Sequence, residues 1–148
     1  MSTQTPPVKT PIHLWIIAVV SLLWNLMGLF DFIMSQFMTS DYMAMMSEQE
    51  AAYFTALPMW IVLVWAAGVL TSVAGSVLLL MRNALALQAF VGSLAFMIVN
   101  LLHGFFLSKI NLIAVAGTVA LAFSAVIFVV AVMLVIYAAR MKAYGTLR

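Results

Sequence analysis

The sequence predicts an all-α membrane protein: four transmembrane helices in a compact antiparallel bundle, with a short interfacial helix in the first outer link. Three observations predict it. Of the 148 residues, 67% are hydrophobic and only 7% charged, against about 25% charged in a soluble domain; a water-facing surface cannot be made from that inventory. Apolar runs recur at about 12–34, 59–81, 84–107 and 110–139, and about 20 apolar residues in a helix cross the ~30 Å hydrocarbon core. The cations also sort by link. Lys9, Arg82, Arg140, Lys142 and Arg148 fall before the first run, after the second and after the fourth, and only Lys109 falls on the other side. The positive-inside rule then puts both termini in the cytoplasm and the acidic 35–57 link outside.

Residues 1–11, with Pro6, Pro7 and Pro11, carry no apolar pattern and are expected to form a flexible cytoplasmic lead. The run behind Lys9 exceeds the ~7–15-residue core of a signal peptide and no A-x-A-like site follows it, so the first helix is expected to be retained. Along that helix Ser21, Asn25, Gly28, Asp31 and Ser35 share an arc of about 120°, an inward face opposite Leu, Ile, Val, Phe and Met. The stretch from Trp24 to Trp60 holds all four acidic residues, Asp31, Asp41, Glu48 and Glu50. Within it Ser47-Glu48-Gln49-Glu50 is an S-x-x-E capping box, which predicts an interfacial helix over about 48–57, broken before Pro58. Pro58 suits the first turn of the second helix, where Gly68, Thr71, Ser72 and Gly75 form a small-residue face of the kind that packs helices closely. The short Arg82-Asn83 turn makes the second and third helices antiparallel neighbours. Ala89, Ser93, Asn100 and Gly104 align on the third, with His103 at the edge of that face. The fourth run is longer than a span requires, so it should tilt or protrude, and Gly117, Ala120, Ser124 and Ala131 align along it. Residues 140–148 read as a cytoplasmic tail, with Tyr137, Arg140, Lys142 and Tyr144 at the interface.

The absence of cysteine removes disulfides, thiolate metal sites and thiol nucleophiles. A net charge of +2 is too small and scattered for nucleic acid. There is no catalytic triad spacing, H-E-x-x-H, phosphate loop or haem motif, so neither an enzyme nor a cofactor is expected. Met34, Met38, Met43, Met45, Met46 and Met59, half of the twelve methionines, gather around the link. They are either soft ligands of the kind Cu(I) takes or adaptable apolar filler, and no metal site is assigned.

The polar residues inside the spans are the candidate site. At 1.5 Å per residue, Asn25 and Asp31 lie about 20 and 29 Å along the first helix, and Asn100 and His103 about 24 and 29 Å along the third. These four share one layer of the outer leaflet, and Asp31 and His103 are expected to face each other as a pair across the bundle interior. The bland reading is that both reach the interface and are hydrated. Asn25-Leu-Met-Gly28-Leu-Phe30 also loosely echoes Asn100-Leu-Leu-His-Gly104-Phe-Phe106, with one residue inserted.

The run Trp24-Asn25-x-x-Gly28-x-x-Asp31, then Tyr53-Phe54 and Pro58-x-Trp60, resembles a family of small bacterial four-helix inner-membrane proteins described as sugar-transporter-like. The similarity covers about Leu23 to Arg82. In that family a Tyr often follows the Asp, where this chain has Phe32. The resemblance implies a multi-pass protein of the bacterial inner membrane and a small-solute, sugar-like transporter. From the residues themselves, Asn25, Asp31, Asn100 and His103 are expected to line an outward vestibule for the ligand, and because four helices enclose little volume a homo-oligomer is expected to complete the path. The alternative is a non-transporting accessory or structural subunit that docks a membrane protein partner through the Met-rich link. In either case the lipid bilayer is the surrounding partner.

Overall fold

The computed structural model describes residues 10–37, 39–110 and 112–148; the lead before Thr10 and Met38 lie outside them. The described chain is an all-α four-helix bundle. Its helices are α1 (Ile12–Phe37), α2 (Thr39–Met43), α3 (Glu48–Thr55), α4 (Met59–Leu80), α5 (Leu85–Leu102, continued by a π-helical segment His103–Leu107) and α6 (Leu112–Ala143). Four stretches are long and apolar enough to cross a membrane: Ile12–Phe37, Met59–Leu80, Leu85–Leu107 and Leu121–Ala143. Large apolar side chains such as Ile16, Val20, Leu23, Leu63 and Met133 stand exposed along them, the belt a lipid-facing surface requires.

Local chemistry sets the helix ends. α1 begins as Leu14 N–H bonds the Pro11 carbonyl and runs three residues beyond the expected end at 34. The capping box is formed: Ser47 Oγ accepts from Glu50 N–H, and the Glu50 carboxylate accepts from Ser47 N–H at 2.9 Å. α3 therefore starts as expected but stops at Thr55 rather than 57. Pro58 is the N-cap of α4 rather than part of its first turn, and its carbonyl accepts from Ile61 N–H at 2.9 Å.

Close backbone packing runs in the order α1–α4–α5–α6. The small-residue face of α4 drives its densest part. A Cβ on Gly75 would sit 2.8 Å from the Phe90 ring, and one on Gly68 would sit 3.3 Å from Phe96 Cβ. Ser93 Oγ donates to the Gly68 carbonyl across the same seam. α1 and α6 meet instead through long side chains, by a 2.7 Å hydrogen bond between His13 Nδ1 and the Tyr137 hydroxyl and a tilted Trp24–Phe123 contact.

The 140–148 segment is not a tail. α6 continues to Ala143, and Gly145 (φ 69) then reverses the chain. Thr146 N–H bonds the Met141 carbonyl and Gly145 N–H that of Lys142, the Schellman pattern that a left-handed residue allows. The reversal carries Thr146 and Leu147 back to 2% and 4% exposure. Leu147 joins a core of Leu14, Ala18, Leu79, Ala86 and Ala138. The same pattern ends α4, where Arg82 (φ 57) holds the left-handed position. Arg148 then hydrogen-bonds the turn twice, its N–H to the Arg82 carbonyl and its carbonyl from Ala84 N–H. α6 also carries a break at Gly117 (φ 62, ψ 175), a conformation open to glycine and strained for other residues. The long fourth run is accommodated by that kink.

Candidate functional site

The packed core fills the end of the bundle that holds Arg82 and Leu147. The other end is hollow. There, towards the Met-rich link, a cavity of about 600 Å³ is lined by residues from α1, α4, α5 and α6 and from the link. Phe90 and Leu134 belong to both the core and the lining, so the core is the cavity's floor. α3 and the residues just after it close the other end: Tyr53 and Phe54 of α3 and then Leu57 line the space, and Phe54 stacks on Trp65 with ring centroids 5.7 Å apart. Met27, Phe30 and Phe123 also line it yet are 64%, 61% and 55% exposed. They sit on α1 and α6, the pair without close backbone packing, so the cavity opens sideways between those helices towards the bilayer.

Three of the four expected residues, Asn25, Asp31 and Asn100, line this cavity. Asn25 Nδ2 donates to the Ser72 carbonyl at 3.2 Å and to Ser76 Oγ at 2.9 Å, which ties the polar face of α1 to α4. Asn100 Nδ2 donates to the Phe96 carbonyl at 3.0 Å. Because a carbonyl only accepts, each partner fixes the orientation of its amide. Ser72 and Ser93 give their hydroxyl hydrogens to the carbonyls of Val69 and Gly68.

Asp31 accepts a hydrogen bond from the Tyr42 hydroxyl. That bond, then burial, then the carboxylate's charge push the Tyr42 pKa up to about 12. The expected Asp31–His103 pair is not formed. His103 is buried at 7% exposure, sits edge-on to Trp60 with centroids 5.5 Å apart, and leaves its Nδ1 without a hydrogen-bond partner. One feature explains the difference: α4 packs between α1 and α5, and His103 meets Trp60 of α4 rather than Asp31. The π-helical segment starts only at His103, whose own N–H still reaches the Val99 carbonyl as in an α-helix, so the wider turn redirects the residues that follow.

Tyr42 and Trp65 were not singled out by the sequence, and Phe54 only as part of the family resemblance. Tyr42 lies on α2, a five-residue helix with too few residues to show periodicity. Phe32, where the resembling family often has Tyr, is buried edge-on against Trp65 at 5.0 Å, a place with no need of a hydroxyl. No family model, curated protein or solved structure matches this chain.

Proposed function

We propose that the protein is a small-solute transporter whose ligand occupies this cavity, held by Asn25, Asp31 and Asn100. The observation that carries the reading is the cavity itself. About 600 Å³ is within the range of small-molecule sites, and its apolar walls are interrupted by a few polar side chains, one of them an intramembrane carboxylate, a functional feature by default. The resemblance to sugar-transporter-like membrane proteins points the same way. Since the core forms the floor, passage requires the bundle to rearrange or a second copy to complete a path, which favours a homo-oligomer. The cation-rich end containing Arg82, Arg140 and Lys142 faces the cytoplasm by the positive-inside rule, so the cavity lies in the outer leaflet of an inner membrane. His103, outside the lining, is not a ligand contact in this reading; it supports the π-helical end of α5.

The test is flux into proteoliposomes with a panel of radiolabelled sugars and small organic ions, using wild type and Gly28→Leu. Gly28 lines the cavity and a Cβ there would meet nothing within 4 Å, so a leucine side chain would start in open space and occupy part of the cavity. Flux that Gly28→Leu abolishes supports the reading. A panel with no flux above empty liposomes, from protein that runs as a single species, overturns it in favour of an accessory subunit.

A further inference from the structure

Resting on the reading of this cavity as a ligand site, we propose that its ligand is an organic cation with an apolar body, entering from the bilayer with its charge set against Asp31. The polar atoms around Asp31 agree with it. Asn25 has both amide hydrogens engaged, and the hydroxyls of Ser72, Ser93 and Tyr42 all donate to protein oxygens. What these residues leave is acceptor capacity, the Asn25 side-chain carbonyl and the second oxygen of Asp31, and an anion would meet the carboxylate.

Charge points the same way. Asp31 has no ion-pair partner among the described residues; its recorded partner is the neutral Tyr42 hydroxyl. A carboxylate at the edge of hydrocarbon strongly favours a counter-charge, and here that place is open to a ligand. The walls supply the rest. Trp24, Tyr42, Tyr53, Phe54, Trp65 and Phe123 surround the space, and aromatic faces attract cations most strongly where water is excluded. Finally, the sideways opening between α1 and α6 admits a molecule already dissolved in the bilayer. An ammonium lipid headgroup and a free hydrophobic cation share this chemistry.

The experiment is a tryptophan-fluorescence titration of the full chain in phosphatidylglycerol nanodiscs, since Trp24 and Trp65 line the cavity, with empty nanodiscs as the blank. The probes are tetraphenylphosphonium, tetraphenylborate and the neutral triphenylphosphine oxide. Saturable binding of the phosphonium is expected, with the anion and the neutral compound at least tenfold weaker. Asp31→Asn should weaken the phosphonium about tenfold or more, and Asp31→Glu should restore it. If Asp31→Asn does not yield a monodisperse protein, the cation–neutral–anion comparison in wild type and Asp31→Glu decides. Repeating the titration with phosphatidylethanolamine in the disc separates the sources: competition assigns the site to a lipid ammonium and its lack to a free cation, and both keep the inference. Equal binding of neutral and cationic probes, lost in Gly28→Leu but unchanged in Asp31→Asn, overturns the cation and leaves the cavity as a ligand site. No saturable binding of any probe in either lipid overturns the inference, while the flux measurement still decides the transport reading.

Discussion

Tyr42 donates its hydroxyl hydrogen to the carboxylate of Asp31, eleven residues earlier, and so ties α2 back onto the end of α1. The Tyr42 pKa is raised from 10.0 to about 12. A raised value means that this contribution is complete below pH 10 and is lost as pH climbs through about 12. Burial also pushes the Tyr53 phenol up, so a spectrophotometric titration should show late phenol ionisation extending to about pH 12, and Tyr42→Phe should remove the step near 12. The variant should also lose about 1 kcal/mol of stability, a typical net value for one hydrogen bond. A wild-type titration without the step that Tyr42→Phe should remove would show that the bond is not made in the membrane.

The α3 cap titrates in the opposite sense. Backbone and side-chain hydrogen bonds from Ser47 hold the Glu50 carboxyl below its usual 4.5. Its stabilisation of the helix start is present above that value and disappears as pH falls through the lowered one. Hydrogen-exchange protection across 50–55, taken relative to the intrinsic rate at each pH, should therefore fall in acid. Glu50→Ala should reproduce the acid behaviour at neutral pH, and an identical pH response in that variant would exclude the cap as its source.

Gly75 and Gly28 should respond oppositely to alanine. At Gly75 the new Cβ would lie 2.8 Å from the Phe90 ring, buried at 3% exposure, which would have to shift towards the cavity it lines. Gly75→Ala should cost about 1–3 kcal/mol, seen as a lower thermal midpoint, and Phe90→Leu should recover part of the loss. Gly28→Ala meets no neighbour and should be neutral or stabilising by up to about 1 kcal/mol through helix propensity.

At the opposite end of the bundle, Leu147→Ala should destabilise by about 2–5 kcal/mol, as for a buried leucine in a packed core, whereas a solvated tail would tolerate it. Arg82→Gly should gain about 1 kcal/mol, because glycine takes the left-handed position without the Cβ penalty. Thermal unfolding in one detergent measures both, and a silent Leu147→Ala would return these residues to the solvent.

The fold was legible where one-dimensional signals suffice. Hydropathy marks four spans, Ser47 and Glu50 mark a helix start, and Gly68 and Gly75 mark a seam of close approach. Three of the four expected site residues were legible for the same reason: Asn25, Asp31 and Asn100 are polar residues on regular helices whose facing follows from 100° per residue. The facing of His103 was not legible because it depends on which helices are neighbours: α4 lies between α1 and α5, and His103 meets Trp60 there. Tyr42 and Leu147 were missed because their positions depend on chain reversals outside the spans, at the end of α1 and at Gly145. No periodic pattern reports such reversals.

The sideways gap between α1 and α6 changes what an affinity for this protein would mean. A molecule entering through it is drawn from the lipid phase, so the bilayer acts as a reservoir and the relevant concentration is a mole fraction in lipid. Each methylene added to such a molecule favours partitioning by about 0.8 kcal/mol, roughly fourfold in apparent aqueous affinity, with no new contact to the protein. Dissociation constants referred to water would then drift with the lipid-to-protein ratio. Those referred to the membrane would stay constant, and only they would report what Asp31 and the aromatic walls contribute.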